Sequence, residues 1–132
     1  MLSGGHTIGL ARCVLFRNRI YNDTNIDPQF AATLRNTCPQ SGGDGNTQPL
    51  DETTTQFDTV YFEALINLKG LLHSDQELFK GDGSESDNLV QSYINNPSLF
   101  ASDFGNSMIK MGNIKPLTGA DGEIRLNCRK VN

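Results

Sequence analysis

A chain of 132 residues can form one domain with a reasonable core, and 36% apolar content with 13 glycines describes a loop-rich one. A formal charge of -4, with no stripe of Lys and Arg, argues against a nucleic-acid surface. No run of about 18 apolar residues exists to span a membrane, and Met1-Leu2-Ser3-Gly4-Gly5 has neither the basic start nor the apolar centre of a signal peptide.

Along the chain, residues 7–21 carry Leu10, Val14, Phe16 and Ile20 at roughly helical spacing. Asp27-Pro28 is a cap followed by a first-turn proline, opening a helix through "QFAATLRNT" that stops before Pro39. Residues 40–49 form a loop without periodicity. Asp58 can cap the next helix, "TVYFEALINLK", which Gly70 closes. Ser74-Asp75-Gln76-Glu77 has the form of a capping box before a short helix ending near Phe79. The acidic turn "GDGSESD" reads as solvated, and "NLVQSYIN" repeats the helix signal. Asn96-Pro97 starts the clearest helix, residues 97–111, with Leu99, Phe100, Phe104, Met108 and Met111 near one face, and Gly112 ends it. In the tail, Asp121-Gly122 is a tight turn between short extended pieces. The expected class is mainly α, in a single unit spanning 1–132.

Three cysteines (Cys13, Cys38, Cys128) and two histidines (His6, His73) make no zinc set. They read either as three buried thiols or as one disulfide plus a cysteine paired elsewhere. The sequon Asn22-Asp23-Thr24 points weakly to a secretory context. His6 follows Gly4-Gly5, and residues without a Cβ let a flat ligand approach the backbone. A histidine beside such a clearance can ligate a haem iron, provided a carboxylate engages its other ring nitrogen. "LDETTTQFD", residues 50–58, gathers hard oxygen donors of the kind calcium takes, although its spacing is not that of an EF-hand.

Four segments, "LSGGHTIGLARC", "LDETTTQFD", "GLLHSDQELF" and "MGNIKPLTGADGEIRLNCRKVN", stand in an order that resembles the C-terminal half of a class III plant secretory haem peroxidase. The resemblance covers nearly all 132 residues. It implies the proximal portion of the helical peroxidase fold, as one partial domain. His6 would be the proximal ligand of the iron of haem b, and Asp75 would accept the hydrogen bond from its other nitrogen. Thr7, Asp51, a threonine and Asp58 would bind calcium. Cys13 would pair with Cys38, and Cys128 with a cysteine in the N-terminal half; Asn22 falls where relatives carry a glycan. His73 matches no family role and reads as a surface residue.

An aspartate on the imidazole N–H would push His6 towards imidazolate and enrich the iron in electrons. Calcium at Thr7, the next residue, would hold the ligand in place. The loop from Asp51 to Asp58 is one residue shorter than the family spacing: counting forward gives Thr54 and counting backward gives Thr53. We read Thr54, with Gln56 offering a carbonyl. A threonine also stands where relatives carry proline after the ligand threonine.

The family's distal histidine and arginine lie in the N-terminal half, so no distal acid–base residue is expected here, and Met1 falls inside the helix leading to His6. For the full-length protein the resemblance implies a secreted monomer, in the cell wall or apoplast. It would reduce hydrogen peroxide at the expense of small phenolic reductants, as in oxidative-stress responses and cell-wall phenolic chemistry. The chain alone is expected to have little activity; the other reading is a non-catalytic haem- or calcium-binding remnant, or an incomplete gene model.

Overall fold

The computed structural model describes residues 1–132, and it is mainly helical. A 3-10 helix at Leu2–Thr7 leads into strand β1 (Leu10–Arg12) and helix α1 (Cys13–Asn22). Helix α2 (Pro28–Arg35), strand β2 (Thr47–Pro49) and helices α3 (Val60–Ile66), α4 (His73–Gln76), α5 (Glu85–Asn95) and α6 (Pro97–Gly112) follow. The two strands pair antiparallel with Leu10 opposite Pro49 and Arg12 opposite Thr47.

The roughly helical spacing noted across residues 7–21 is thus shared between different elements. Gly9 takes φ +107°, a conformation other residues avoid. That turn sends Leu10–Arg12 out as a strand, and helix begins only at Cys13. Phe16 and Ile20 face inward, while Leu10 and Val14 are exposed. The unstructured reading of 40–49 fails at its end, where Thr47–Pro49 becomes β2 because β1 offers its backbone.

Starts fixed by local chemistry behave as read. Asp27 Oδ1 accepts from Phe30 N–H at 2.7 Å, with Pro28 in the first turn. Asn96 Oδ1 accepts from Leu99 N–H at 3.0 Å ahead of α6. Asp58 Oδ1 accepts from Val60 N–H at 2.9 Å, serving the start of α3 although Thr59 holds the formal cap position.

Other boundaries move. Helix α3 ends at Ile66, not Gly70, since Leu68 adopts φ +56°. Gly70 matters for space: a Cβ there would lie 2.8 Å from Leu65 Cδ2 and 3.0 Å from Gln76 Oε1. The capping box at Ser74–Glu77 is absent, because these residues lie within or just after α4, whose cap position is Leu72. Nor is all of "GDGSESD" solvated. Ser84 Oγ caps α5, and buried Asp87 accepts from the N–H of Lys80 at 2.8 Å and Gly83 at 2.9 Å. Burial alone would raise the Asp87 pKa, but these backbone donors outweigh it and hold the carboxyl below its ordinary range.

On α6 only Phe100 is buried; Leu99, Met108 and Met111 are exposed. The tail contains a 3-10 turn at Gly119–Asp121 with extended backbone at Thr118 and Gly122, but no strand. No neighbouring strand offers them hydrogen bonds, and Ile124 and Leu126 stand in the open.

Two cores result. One joins Phe16, Ile20, Ala31, Leu34, Leu50 and Leu71 around Cys13 and Cys38. The other joins Tyr61, Phe62, Leu65, Val90, Tyr93 and Phe100. The Leu2–Thr7 segment packs on α3 and α6 and runs directly into β1, so His6 and Thr7 sit where the two cores meet. The chain has no helix long and apolar enough to cross a membrane.

Candidate functional site

His6 and Asp75 are 69 residues apart in sequence and in contact in the fold. Nδ1 of His6 lies 3.0 Å from both Oδ1 and Oδ2 of Asp75. A carboxylate only accepts, so Nδ1 carries the proton and donates it. The Asp75 hydrogen bond raises the His6 pKa, burial opposes that rise, and the charge of Asp75 adds to it. Asp75 is buried, whereas the His6 side chain is 40% exposed.

In the neutral ring, with the proton on Nδ1, the lone pair lies on Nε2, which joins none of the chain's hydrogen bonds. A lone pair held outward by a carboxylate behind the ring is the donor that an axial iron ligand requires, and these residues fit that role. The Gly4-Gly5 pair serves a different purpose from the clearance expected of it. A Cβ on Gly4 would lie 2.5 Å from Cε2 of Phe100, whereas one on Gly5 would make ordinary contact with Phe104 at 3.6 Å. Gly4 admits an aromatic ring of this chain.

Asp75 sits on a helix of four residues, too short to hold itself. Its position comes from Gln76 and Arg19. The buried Arg19 guanidinium donates from Nε to Gly70 O (2.8 Å), from Nη1 to Asp23 Oδ2 (3.0 Å) and Asn25 Oδ1 (2.9 Å), and from Nη2 to Gln76 Oε1 (3.4 Å). Gln76 Nε2 donates to Leu65 O at 2.9 Å and Phe79 O at 3.1 Å. Every polar atom of these two buried side chains is used, tying α1, α3 and α4 together. Sequence reading missed both residues, since Arg and Gln ordinarily read as surface; the only signal was Arg19 falling three after Phe16 on the inward face of α1.

His73 is on the surface, as expected, but it is not idle. Its Nδ1 lies 2.6 Å from Asp23 Oδ2, the oxygen that also receives Arg19. Burial would raise the Asp23 pKa; His73 and Arg19 overcome that and hold the carboxyl below the usual range.

Beside His6, the buried Thr7 hydroxyl meets three acceptor oxygens: Asp51 Oδ2 at 3.0 Å, Asp58 Oδ1 at 3.2 Å and the Gln56 carbonyl at 3.4 Å. One hydroxyl proton serves one of them. The carboxylates also take one backbone N–H each, from Val60 and Thr53, and neither is paired with a basic side chain. Such an all-oxygen set fits a hard cation. Only two carboxylates meet here, so the set depends on hydroxyl and carbonyl oxygens beside them.

Both threonines of the loop are engaged next to this cluster, Thr53 with Asp51 and Thr54 with Gly9. Thr53 donates its N–H to Asp51 Oδ1 at 2.9 Å and its hydroxyl lies 3.4 Å from the same oxygen. The Thr54 carbonyl accepts from Gly9 N–H at 2.9 Å.

Cys13 and Cys38 form a disulfide with Cα atoms 5.4 Å apart, closing 25 residues of sequence. It fastens the start of α1 to the segment after α2. Cys128 is exposed in the tail. Asn22 is exposed at the end of α1, its side-chain amide donating to Asn18 Oδ1 at 2.7 Å.

Comparison with known proteins gives this arrangement its family. The peroxidase family model matches residues 1–96. The chain is 68% identical to Peroxidase RIP1 of Medicago truncatula over 98% of its own length and 40% of that protein's. It is 58% identical to Peroxidase 4 of Vitis vinifera and 56% identical to the lignin-forming anionic peroxidase of Nicotiana sylvestris, over 99% of the chain and 41% of each relative. It therefore spans about two fifths of the length of these relatives. With identity at this level running from end to end, the chain belongs to the peroxidase family of plants.

Proposed function

We propose that the protein carrying this chain is a secreted haem peroxidase, and that residues 1–132 supply its proximal haem-ligand and calcium regions. The observation that supports this best is the His6–Asp75 pair, in which Nδ1–H is held by a buried carboxylate and Nε2 is left for iron. Bound haem b would supply the two-electron reduction of hydrogen peroxide and the one-electron oxidation of small phenols. In this chain His6 would hold the iron through Nε2, and Asp75 would keep the imidazole in one tautomer while lending it negative charge. Thr7, Asp51, Thr53, Asp58 and the Gln56 carbonyl would hold calcium beside His6, and the ion would fix the backbone of that residue. Asn22 accepts a glycan on the exposed end of α1, and the full-length protein acts as a monomer outside the cell.

The second histidine, His73, is engaged with Asp23, which leaves proton transfer at the peroxide to residues outside this chain. General acid–base groups contribute about 10²–10⁴-fold where they act. The test is guaiacol oxidation driven by hydrogen peroxide, with hemin supplied. The full-length protein is expected to turn over and the isolated 132-residue chain to remain near background. An inactive, haem-loaded full-length protein would favour the non-catalytic remnant instead, and brisk turnover by the isolated chain would overturn this division of labour.

A further inference from the structure

Val14, Arg17, Asn18, Tyr21 and Asn22 line a groove of about 480 Å³ along one side of α1, and Gln40 completes its wall. Spacings of three and four residues put these side chains in one row on the helix surface. At about 1.5 Å of rise per residue, the row runs about 12 Å from Asn22 to Val14. Arg17 and Tyr21 fasten the wall. Arg17 donates from Nε to Pro39 O at 2.9 Å and from Nη2 to Asp44 Oδ1 at 2.5 Å, and the Tyr21 hydroxyl donates to Cys38 O at 3.2 Å. The groove also keeps polar groups in reserve. Arg17 Nη1, Asn18 Nδ2 and the Gln40 side-chain amide join none of the chain's hydrogen bonds.

Asn22 stands at one end of this row and is the acceptor of the sequon Asn22-Asp23-Thr24. Its amide has two hydrogens, and it donates to Asn18 Oδ1 at 2.7 Å. An N-linked sugar takes the place of one hydrogen, so the other can keep that bond and hold the amide still. Because Asn22 is part of the wall, a sugar attached there starts inside the groove.

We propose that this groove seats the first sugars of a glycan on Asn22, an N-acetylglucosamine core lying along α1 towards Val14 and bridging to Gln40. This rests on the glycan reading of Asn22. A pyranose ring has an apolar C–H face and a rim of hydroxyls, and its N-acetyl group adds a methyl and an amide. The half-exposed Val14 and the Tyr21 ring suit the apolar parts, and the unused groups of Arg17, Asn18 and Gln40 suit the polar ones. Weak contacts suffice, because the covalent link removes most of the entropy cost of association. Seated there, the sugar braces α1 against the exposed segment 39–46, across the two stretches that the Cys13–Cys38 bridge joins.

The experiment compares the full-length protein, secreted from a eukaryotic host that attaches such a core, with Thr24→Ala. That variant removes the sequon and leaves Asn22 and its bond to Asn18 in place; Thr24 itself makes no side-chain hydrogen bond. In the glycosylated protein, NMR contacts are expected between the N-acetyl methyl of the first sugar and the Val14 methyl groups. Amide exchange across residues 39–46 is expected to be several-fold faster in Thr24→Ala. Gln40→Ala, with the glycan retained, should speed exchange in the same segment. A glycan on Asn22 that makes no contact with Val14, or exchange at 39–46 that ignores Thr24→Ala, would overturn the proposal. An unmodified Asn22, read from the mass of its tryptic peptide, would overturn the glycan reading itself and the proposal with it.

Discussion

At Gly4 the space of the absent side chain is taken by the edge of Phe100, with ring atoms 2.5 and 2.8 Å from where a Cβ would stand. Phe100 is itself held by Phe62, Tyr93 and Phe57, so it has little freedom to retreat. Gly4→Ala is expected to cost about 1–3 kcal/mol in a thermal or urea melt, the range for overpacking a filled core. Pairing it with Phe100→Leu should recover part of that loss. Strictly additive losses in the double variant would contradict the packing account. The same scale shows where sequence reading stops. Asp75 and His6 could be named from the motifs that carry the family resemblance, whereas Arg19 and Gln76 owe their roles to neighbours 50 or more residues away.

Among the elements, those with local signals were legible. Asp27-Pro28 and Asn96-Pro97 open α2 and α6 because a capping carboxylate or amide and a proline act within one turn. Strands β1 and β2 were not legible: each has three residues and exists only through the other, with Gly9 making the corner. Helix α4 likewise is held by tertiary bonds. The loop between β2 and α3 has the same character, because its oxygen atoms meet Thr7 through contacts 44 to 51 residues apart in sequence. The Cys13–Cys38 bridge secures that pairing from the α1 side, and chain-entropy arithmetic for its loop gives roughly 3–4 kcal/mol. Chelating calcium should lower the melting temperature of the full-length protein. Thr7→Val, which removes the shared hydroxyl, should cost about 1–3 kcal/mol and abolish the response to chelator. Melting curves that ignore chelation in the unmodified protein would show that the shortened loop holds no metal.

On the scale of the whole molecule, 25 of 132 residues are buried, and Leu15, Ile109, Ile114, Leu117, Ile124, Leu126 and Val131 lie largely in the open. Apolar surface of this extent seeks a cover, in keeping with a chain that spans two fifths of its relatives. The mainly helical class follows from periodicity and caps, but the placement of His6 between two cores does not, because it depends on which helices meet. The central claim is that His6 is the axial ligand, polarised by Asp75. Resonance Raman spectroscopy of the ferrous, haem-loaded full-length protein reads that bond directly. An iron–imidazole stretch is expected, falling in frequency in Asp75→Asn and disappearing in His6→Ala; a stretch that persists in His6→Ala, or one indifferent to Asp75, would contradict it.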